Sequence, residues 1–335
     1  MTSKIGWVGP RPQKLNWKEL YLRLSVTDAC NFRCQYCRPV LEESEEAEQT
    51  LLSFEEILRL IGWCYNRGSR RVRLTGGEPL LRPHICDLVR EIKSSYPEVH
   101  LSLSTNGLKL PPLARELKES GLDRINISLD TLDRKRFRSL TGVDGLETVL
   151  EAIDTSIEVG LKPVKVNVVL LRGVNEEELT DLVRFALRKE VYIRFIEYMP
   201  HCKTETNHFE VFSSREALGI LEREFNLTPV RDENRPVGSG PAKYWNIEGS
   251  DIPIGLISSV SEDICKNCSR LRVTGRGDLV RCIQENLFQS IRPLIEENRE
   301  ADFCAILEAA YERRLHQRED GHVFVLRRQL VHTGG

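Results

Sequence analysis

The sequence predicts an α/β protein: a parallel sheet, open or closed into a barrel, over residues 18–200, then a smaller α+β region over residues 201–335. Three observations carry this. Short β-rich runs alternate with amphipathic stretches from Tyr21 to Tyr198, several of those stretches carry helix start or stop signals, and the rhythm breaks after Met199-Pro200.

Taken in order, the strand candidates are Leu22–Val26, Arg71–Thr75, His100–Ser104, Arg124–Leu129, Val164–Leu170 and Ile193–Glu197. Ser53 with Glu56 predicts a capping box ahead of the apolar periodicity of Ile57, Leu60 and Ile61. Asn175 with Glu178 gives a similar helix start, and Gly121 and Gly160 stand where helices should stop. Repeated βα units of this length imply parallel strands, and sites in such sheets lie at the carboxyl ends of the strands. Past Pro200, Ser213–Phe225 reads as a helix with a Ser-x-x-Glu start, and Pro/Gly-rich turns run from Arg235 to Pro241. Short strand-like pieces follow, then helices over Leu287–Glu297 and Asp302–Leu315. This half is expected to sit as an appendage on the barrel mouth. The acidic run Glu42–Glu48 reads as a solvated loop.

Of the 335 residues 40% are hydrophobic and 29% charged, with a formal net charge of −2, as in an ordinary soluble domain. No overall basic field exists to bind a nucleic acid polymer. The apolar run Val164–Leu171 is broken by Lys165 and Asn167 and is too short to span a bilayer. The start MTSKIGWVGPRPQ lacks the apolar core of an export signal, so no membrane association and a reducing, cytoplasmic setting are expected. Ten cysteines there point to metal or redox chemistry rather than disulfides.

Cys30, Cys34 and Cys37 form a C-x3-C-x2-C array directly after the first strand. Three thiolates in so short a span can grip three irons of a cubane and leave the fourth iron without a protein ligand. A structural zinc site normally needs a fourth protein ligand, and no nearby histidine supplies one. A second array, Cys265-Lys-Asn-Cys268 with Cys282 further on, again offers three thiolates. A zinc ribbon completed by Cys304 or His201 is the competing reading. Arg270 and Arg272, at alternate positions after Cys268, favour a cluster with an open iron beside an anionic substrate. Cys64 and Cys86 fall in helices and read as buried apolar residues, and Cys202 has no assignment.

Thr75-Gly76-Gly77-Glu78-Pro79 follows the second strand, with glycines that permit close backbone approach and a carboxylate that suits an amino group. Ser104-Thr105-Asn106-Gly107 and Ser128-Leu129-Asp130 end the third and fourth strands, where polar residues serve turns or ligands. No phosphate-binding G-x-x-x-x-G-K-[ST] loop is present, so a nucleotide would need side-chain cations. Arg23, Arg71, Arg73 and Lys165 lie on the strands; Arg23 and Arg73 fit a polar barrel interior, and a buried Lys165 would need an anion such as phosphate.

The cysteine array, with Phe32 before Arg33 and Tyr36 before Cys37, resembles the radical S-adenosylmethionine (SAM) superfamily, and GGEP resembles its SAM amino-group motif. LRLSVTDACNFRCQYC, RLTGGEPLLR, STNG, RINISLD, VKVNVVLLRGVN, IRFIEYMP, CKNCSRLR…C and the final Gly334-Gly335 are similar, in order, to MoaA-type GTP 3′,8-cyclases of molybdenum cofactor biosynthesis. The resemblance implies a partial (β/α)6 TIM-like barrel, two 4Fe-4S clusters and SAM as cofactor. Cys30, Cys34 and Cys37 would hold the SAM cluster, and Tyr36, Gly77, Glu78, Ser128 and Met199 would bind SAM. Cys265, Cys268 and Cys282 would hold the auxiliary cluster, while Arg23, Arg73, Ser104, Lys165, Arg270 and Arg272 would line the GTP site. Arg270 and Arg272 are also the expected catalytic residues. The implied reaction is abstraction of the ribose C3′ hydrogen by a 5′-deoxyadenosyl radical and attack of C3′ on guanine C8. It implies an electron donor, a downstream cyclic pterin synthase that receives the product, and a homodimer.

The chain departs from that pattern at Ala29, where arginine is usual, at Arg38, where methionine is usual, and across His201–Phe209. These departures keep open a twin-cluster paralogue acting on another nucleotide or a peptide. From a different class, a non-catalytic iron–sulfur or zinc protein is the further alternative.

Overall fold

In a computed structural model of the chain the described residues are 15–37, 50–200, 209–234, 236, 240–262, 268–280, 282 and 288–316. Cys265, Cys202, Arg38, the acidic run, the terminal Gly-Gly and His201–His208 lie outside them.

The first six strands are β1 (Tyr21–Ser25), β2 (Arg71–Thr75), β3 (His100–Thr105), β4 (Arg124–Ser128), β5 (Val164–Leu170) and β6 (Tyr192–Glu197), within one or two residues of the sequence expectation. They pair in sequence order and all in parallel. Parallel neighbours need crossovers, and helices supply them: α1 (Phe54–Asn66), α2 (Ile85–Ser95), α3 (Leu110–Glu119), the pair α4 (Arg134–Thr141) and α5 (Leu146–Glu158), and α6 (Leu179–Arg188). One strand face is apolar. Leu22, Leu24, Leu74, Leu103, Ile127, Val166 and Phe195 are fully buried in one core with Leu60, Leu88, Ala114, Val149 and Leu182 of the helices. Each such aliphatic side chain contributes about 1.5–3 kcal/mol on burial.

The capping signals divide. Ser53 and Glu56 form the reciprocal box that starts α1, and Ser213 with Glu216 does the same for α7 (Ser214–Leu221). Asn175, expected to start a helix, makes no cap. Its buried amide instead accepts from Leu171 N (3.0 Å) and donates to the Asp130 and Val169 carbonyls, both at 2.8 Å. A buried amide satisfied from three directions ties two strand ends together better than it could serve one helix terminus.

The segment expected as an appendage is hydrogen-bonded into the sheet at both edges. Past β6 come β9 (Ile254–Ile257), parallel to β6, then β8 (Lys243–Ile247) and β7 (Leu227–Pro229), antiparallel. Before β1 come β10 (Arg270–Val273), parallel to β1, then β11 (Asp278–Val280) and β12 (Phe288–Ser290), antiparallel. The helix expected over Leu287–Glu297 is therefore shorter. Residues 288–290 pair with β11, and α8 (Arg292–Glu296) starts only at Arg292, with Pro293 in its first turn. The last helix, α9 (Glu300–His316), covers the Asp302–Leu315 expectation.

The polar strand faces curl toward one another. β1 and β6 are five strand spacings apart, roughly 24 Å in a flat sheet, yet Tyr21 of β1 lies close enough to act on the charge of Arg194 of β6. Between them the Asn126 amide on β4, with its oxygen turned inward, accepts from Arg73 of β2 and from Arg194 (2.8 Å). The sheet encloses a lumen lined by its polar face.

Candidate active site

The carboxyl ends of β1 and β2 are locked before any ligand is considered. Gly77 N donates to the Thr27 carbonyl and Glu78 N to the Ala29 carbonyl, both at 2.8 Å. A Cβ on Gly76 would run into the Thr27 carbonyl oxygen, and one on Gly77 would lie 2.6 Å from the Ala29 carbonyl carbon. Gly76 also adopts φ +144°, which side chains disfavour. The paired glycines thus let two backbones touch, and that contact holds the turn leading into Cys30. Glu78 differs from expectation in the same way. It is 1% exposed, and its carboxylate accepts from Leu80 N (3.0 Å), Thr105 Oγ1 (2.7 Å) and Asn106 N (2.7 Å). Burial pushes it up to about 7 even against these three donors. Glu78 clamps the Ser104–Gly107 loop and does not line the cavity.

Over this platform Cys30, Cys34 and Cys37 line a cavity of about 220 Å³, with Gly77, Ser104, Ser128, Asp130 and Met199 among the other walls. The cysteine loop is pinned by Arg33 N to the Thr141 carbonyl (2.8 Å) and Gln35 N to the Leu140 carbonyl (3.1 Å). Phe32 packs edge-on against Phe137, with centroids 5.7 Å apart. Tyr36 donates to Asp130 Oδ2 at 2.6 Å, and Asp130 Oδ1 accepts from Val169 N at 2.8 Å. Sequence reasoning gave Asp130 no partner. Burial pushes it up to about 6 despite both hydrogen bonds. The Cys34 thiol is pushed well up by burial, then by the nearby Cys37, Asp130 and Cys30. Burial and the neighbouring acids thus disfavour free thiolates at this edge, and iron bound by the thiolates would supply the compensating positive charge.

Beneath the cavity the lumen is cationic. Arg23 pairs in register with Arg73 on one side and Arg272 on the other. Arg73 donates to Ser102 and Ser104 hydroxyls, both at 3.2 Å. Arg194 grips Asn167 Oδ1 through Nε (3.0 Å) and Nη2 (2.6 Å). Arg23 is 9% exposed, Lys165 4%, Arg194 7% and Arg272 6%. Burial is the largest cause lowering Arg23, followed by Arg272 and Arg73. Lys165 falls to about 7 through burial, then Arg194, Arg124 and Arg73. No Asp or Glu occupies the alternate positions of β1–β6 and β10 that share this face: Tyr21, Arg23, Ser25, Arg71, Arg73, Thr75, His100, Ser102, Ser104, Arg124, Asn126, Ser128, Lys165, Asn167, Val169, Tyr192, Arg194, Ile196, Arg270 and Arg272. Such a surface suits a polyanion. Arg194, Asn126 and Asn167 were not foreseen. The available signal was the I-R-F-I pattern around Arg194, which matches L-R-L at Arg23 and V-K-V at Lys165.

Cys268 and Cys282 of the second thiol set stand at the opposite end. β10 runs parallel to β1, with Cys268 just before β10 and Cys30 just after β1. A five-residue strand at about 3.3 Å per residue puts roughly 17 Å between those edges. Cys268 is buried, and the Arg270 Nε donates to its Sγ at 3.2 Å. Cys282 follows β11 and is partly exposed. Cys304 is buried, as are Cys64 and Cys86. The described donors at each site are soft thiols with no histidine among them, which suits iron–sulfur clusters.

Comparisons with known proteins agree with this geometry. Residues 24–186 match the Radical SAM superfamily, and residues 191–324 match Molybdenum Cofactor Synthesis C. A GTP 3′,8-cyclase of Heliobacterium modesticaldum is 41% identical, covering 78% of this chain and 80% of its own length. One from Desulforamulus reducens is 37% identical over 90% and 93%. Among solved structures, Streptococcus suis SuiB superposes with a TM-score of 0.60 at 17% identity. The match covers 83% of this chain and 64% of that longer one, and it bears on the fold alone. No described helix is long and apolar enough to cross a membrane. The chain belongs to the GTP 3′,8-cyclase family of radical SAM enzymes.

Proposed function

We propose that this protein converts GTP to 3′,8-cyclo-7,8-dihydro-GTP, the first step of molybdopterin biosynthesis. One observation supports this most: a lumen lined by cations and amides, with no carboxylate among its strand positions, lies between two thiol sites at opposite ends. A triphosphate would be attracted by these cations, while a ribose and base span the remaining distance.

Residues 18–200 supply the SAM half and residues 201–335 the auxiliary-cluster half. Cys30, Cys34 and Cys37 would hold the first 4Fe-4S cluster, with Tyr36, Gly77, Ser128 and Met199 around SAM. Glu78 acts through the loop it clamps. Cys265, Cys268 and Cys282 would hold the second cluster. When bound, the first cluster supplies one electron that opens the C5′–S bond of SAM to give a 5′-deoxyadenosyl radical. Arg23, Arg73 and Lys165, joined by Arg194, bind and orient the triphosphate so that C3′–H faces the cysteine loop and guanine faces the far end. Ser104 holds Arg73 in line. Arg270 and Arg272 set positive charge where the ring closure onto C8 becomes electron-rich. A cytoplasmic one-electron donor supplies one electron for SAM cleavage and a second that, with a proton, quenches the radical left on the purine after closure onto C8; a cyclic pterin synthase takes the product, and the chain acts as a homodimer.

The test is anaerobic reconstitution, reduction, and incubation with SAM and each nucleoside triphosphate, followed by mass spectrometry. A GTP isomer that alkali converts to a pterin, together with 5′-deoxyadenosine, is the expected result. SAM cleavage with no GTP-derived product would move the substrate elsewhere.

A further inference from the structure

The link from β1 to Cys30, residues 26–29, is held from two sides. On the β2 side it meets the Gly77 and Glu78 amides, which donate to the Thr27 and Ala29 carbonyls. On the other side it meets the β10–β11 turn, residues 274–277, from the second half of the chain. β10 carries Arg272, in register with Arg23, and runs directly into that turn. A Cβ on Gly275 would lie 3.5 Å from Thr27 N and 3.6 Å from Asp28 Oδ1, so the turn rests on the link. Arg276 Nε donates to Asp28 Oδ2 at 3.1 Å, and both side chains are largely buried. The turn is anchored in its own right. The Gly275 carbonyl accepts from Leu52 N at 2.8 Å. Arg82 then joins the Leu52 carbonyl (Nη2, 2.7 Å) to the Val26 carbonyl (Nη1, 3.4 Å), which closes the ring of contacts back onto the link.

We infer that Arg276 is a positioning residue of the SAM-side site: through Asp28 it fixes the entry of the cysteine loop. The second half of the chain thereby sets the geometry at which SAM is held and cleaved. A partly exposed ion pair adds little to global stability, so the weight of this one is geometric. Asp28 stands two residues before the first thiol. Groups behind the metal ligands orient them, and a misplacement of about 1 Å at a reacting centre can cost about a hundredfold in rate. The β10–β11 turn is thus a second support for the loop, independent of the glycine contact from β2. This rests on the reading that Cys30, Cys34 and Cys37 hold the cluster that binds SAM.

The experiment uses the full-length enzyme, anaerobically reconstituted and reduced. It follows 5′-deoxyadenosine formation against SAM concentration, and the electron paramagnetic resonance spectrum with and without SAM. Iron per chain, melting temperature and GTP affinity are measured on the same samples. Arg276→Gln and Asp28→Asn should each lower kcat/KM for SAM about tenfold and alter the SAM-dependent change in the spectrum. Iron, melting temperature and GTP affinity should stay near wild type in both. Because the two side chains act as a unit, the double variant should lose no more than either single one. Arg276→Lys, which keeps the charge, should recover part of the loss. Wild-type kcat/KM in both single variants would overturn the inference, and so would losses that multiply in the double variant. Loss of iron in both Arg276→Gln and Arg276→Lys would make the contact merely structural and overturn it as well. A fall in GTP affinity matching the fall in kcat/KM would place Arg276 at the lumen instead. SAM cleavage surviving in Cys34→Ala would overturn the reading of the SAM site itself, separately from the role of Arg276.

Discussion

Lys165 offers a quantitative handle on what fills the lumen. It is 4% exposed, and burial, then repulsion from Arg194, Arg124 and Arg73, lowers its ammonium from 10.5 to about 7. A bound triphosphate cancels that repulsion and restores the charged form. In the free protein the lysine is largely neutral above pH 7, and in the complex it is charged, so binding takes up a proton. At pH 8 about nine-tenths of the free lysines are neutral, and close to one proton should enter with each GTP. Above pH 7 the affinity should fall up to tenfold per pH unit, about 1.4 kcal/mol. The same shift makes the stability of the free protein rise from pH 7 towards 10.5, because the unfolded chain still holds the proton that the folded lysine has lost. Calorimetry on reconstituted enzyme without SAM, at pH 8 in two buffers of different ionisation enthalpy, measures the uptake. Lys165→Arg, which keeps its proton, should bind GTP with no uptake. Zero uptake in wild type, with an affinity flat from pH 7 to 9, would refute the reasoning.

Three further outcomes follow from other parts of the site. Gly77→Ala forces a Cβ against the Ala29 carbonyl, with backbone on both sides. It should cost about 1–3 kcal/mol and displace the cysteine loop, read as a lower melting temperature and less iron per chain. Glu78→Gln places an NH2 against one of three donors and should cost about 1–3 kcal/mol by denaturant titration. Because the buried Glu78 carboxyl is raised to about 7, wild type itself loses stability as pH climbs from about 4.5 to 7, where the unfolded carboxyl ionises first. The deficit of the glutamine variant should therefore narrow over that window. Arg194→Met removes a guanidinium shared by Asn167 and Asn126. It should weaken GTP binding at least tenfold by calorimetry and leave cluster iron unchanged.

The strand pattern was legible because each strand has one apolar face that must meet helices, which writes a period of two into Leu22/Leu24, Leu101/Leu103 and Val166/Val168. The thiol arrays and the cations at Arg23, Arg73 and Lys165 stood out as exceptions to that apolar pattern. What stayed hidden depends on contacts between residues far apart in sequence. Asn175 looks like a helix start until the Asp130 and Val169 carbonyls are beside it. Glu78 looks like a ligand group until the Leu80 and Asn106 amides and the Thr105 hydroxyl are beside it. The edge pairing of β9 and β10 was equally hidden, since short strands carry little periodicity and their partners lie well back in the chain. The Arg270 contact with Cys268 is two residues long in sequence, but only the direction of the side chain reveals it.

The central claim is that the lumen presents the ribose C3′–H of GTP to the cysteine-loop end. GTP deuterated at C3′, incubated with the reduced enzyme and SAM, tests it most directly by mass spectrometry of the 5′-deoxyadenosine formed. Deuterium in that product, in proportion to the cyclised nucleotide, is the predicted result. Unlabelled 5′-deoxyadenosine alongside a GTP-derived product would contradict it.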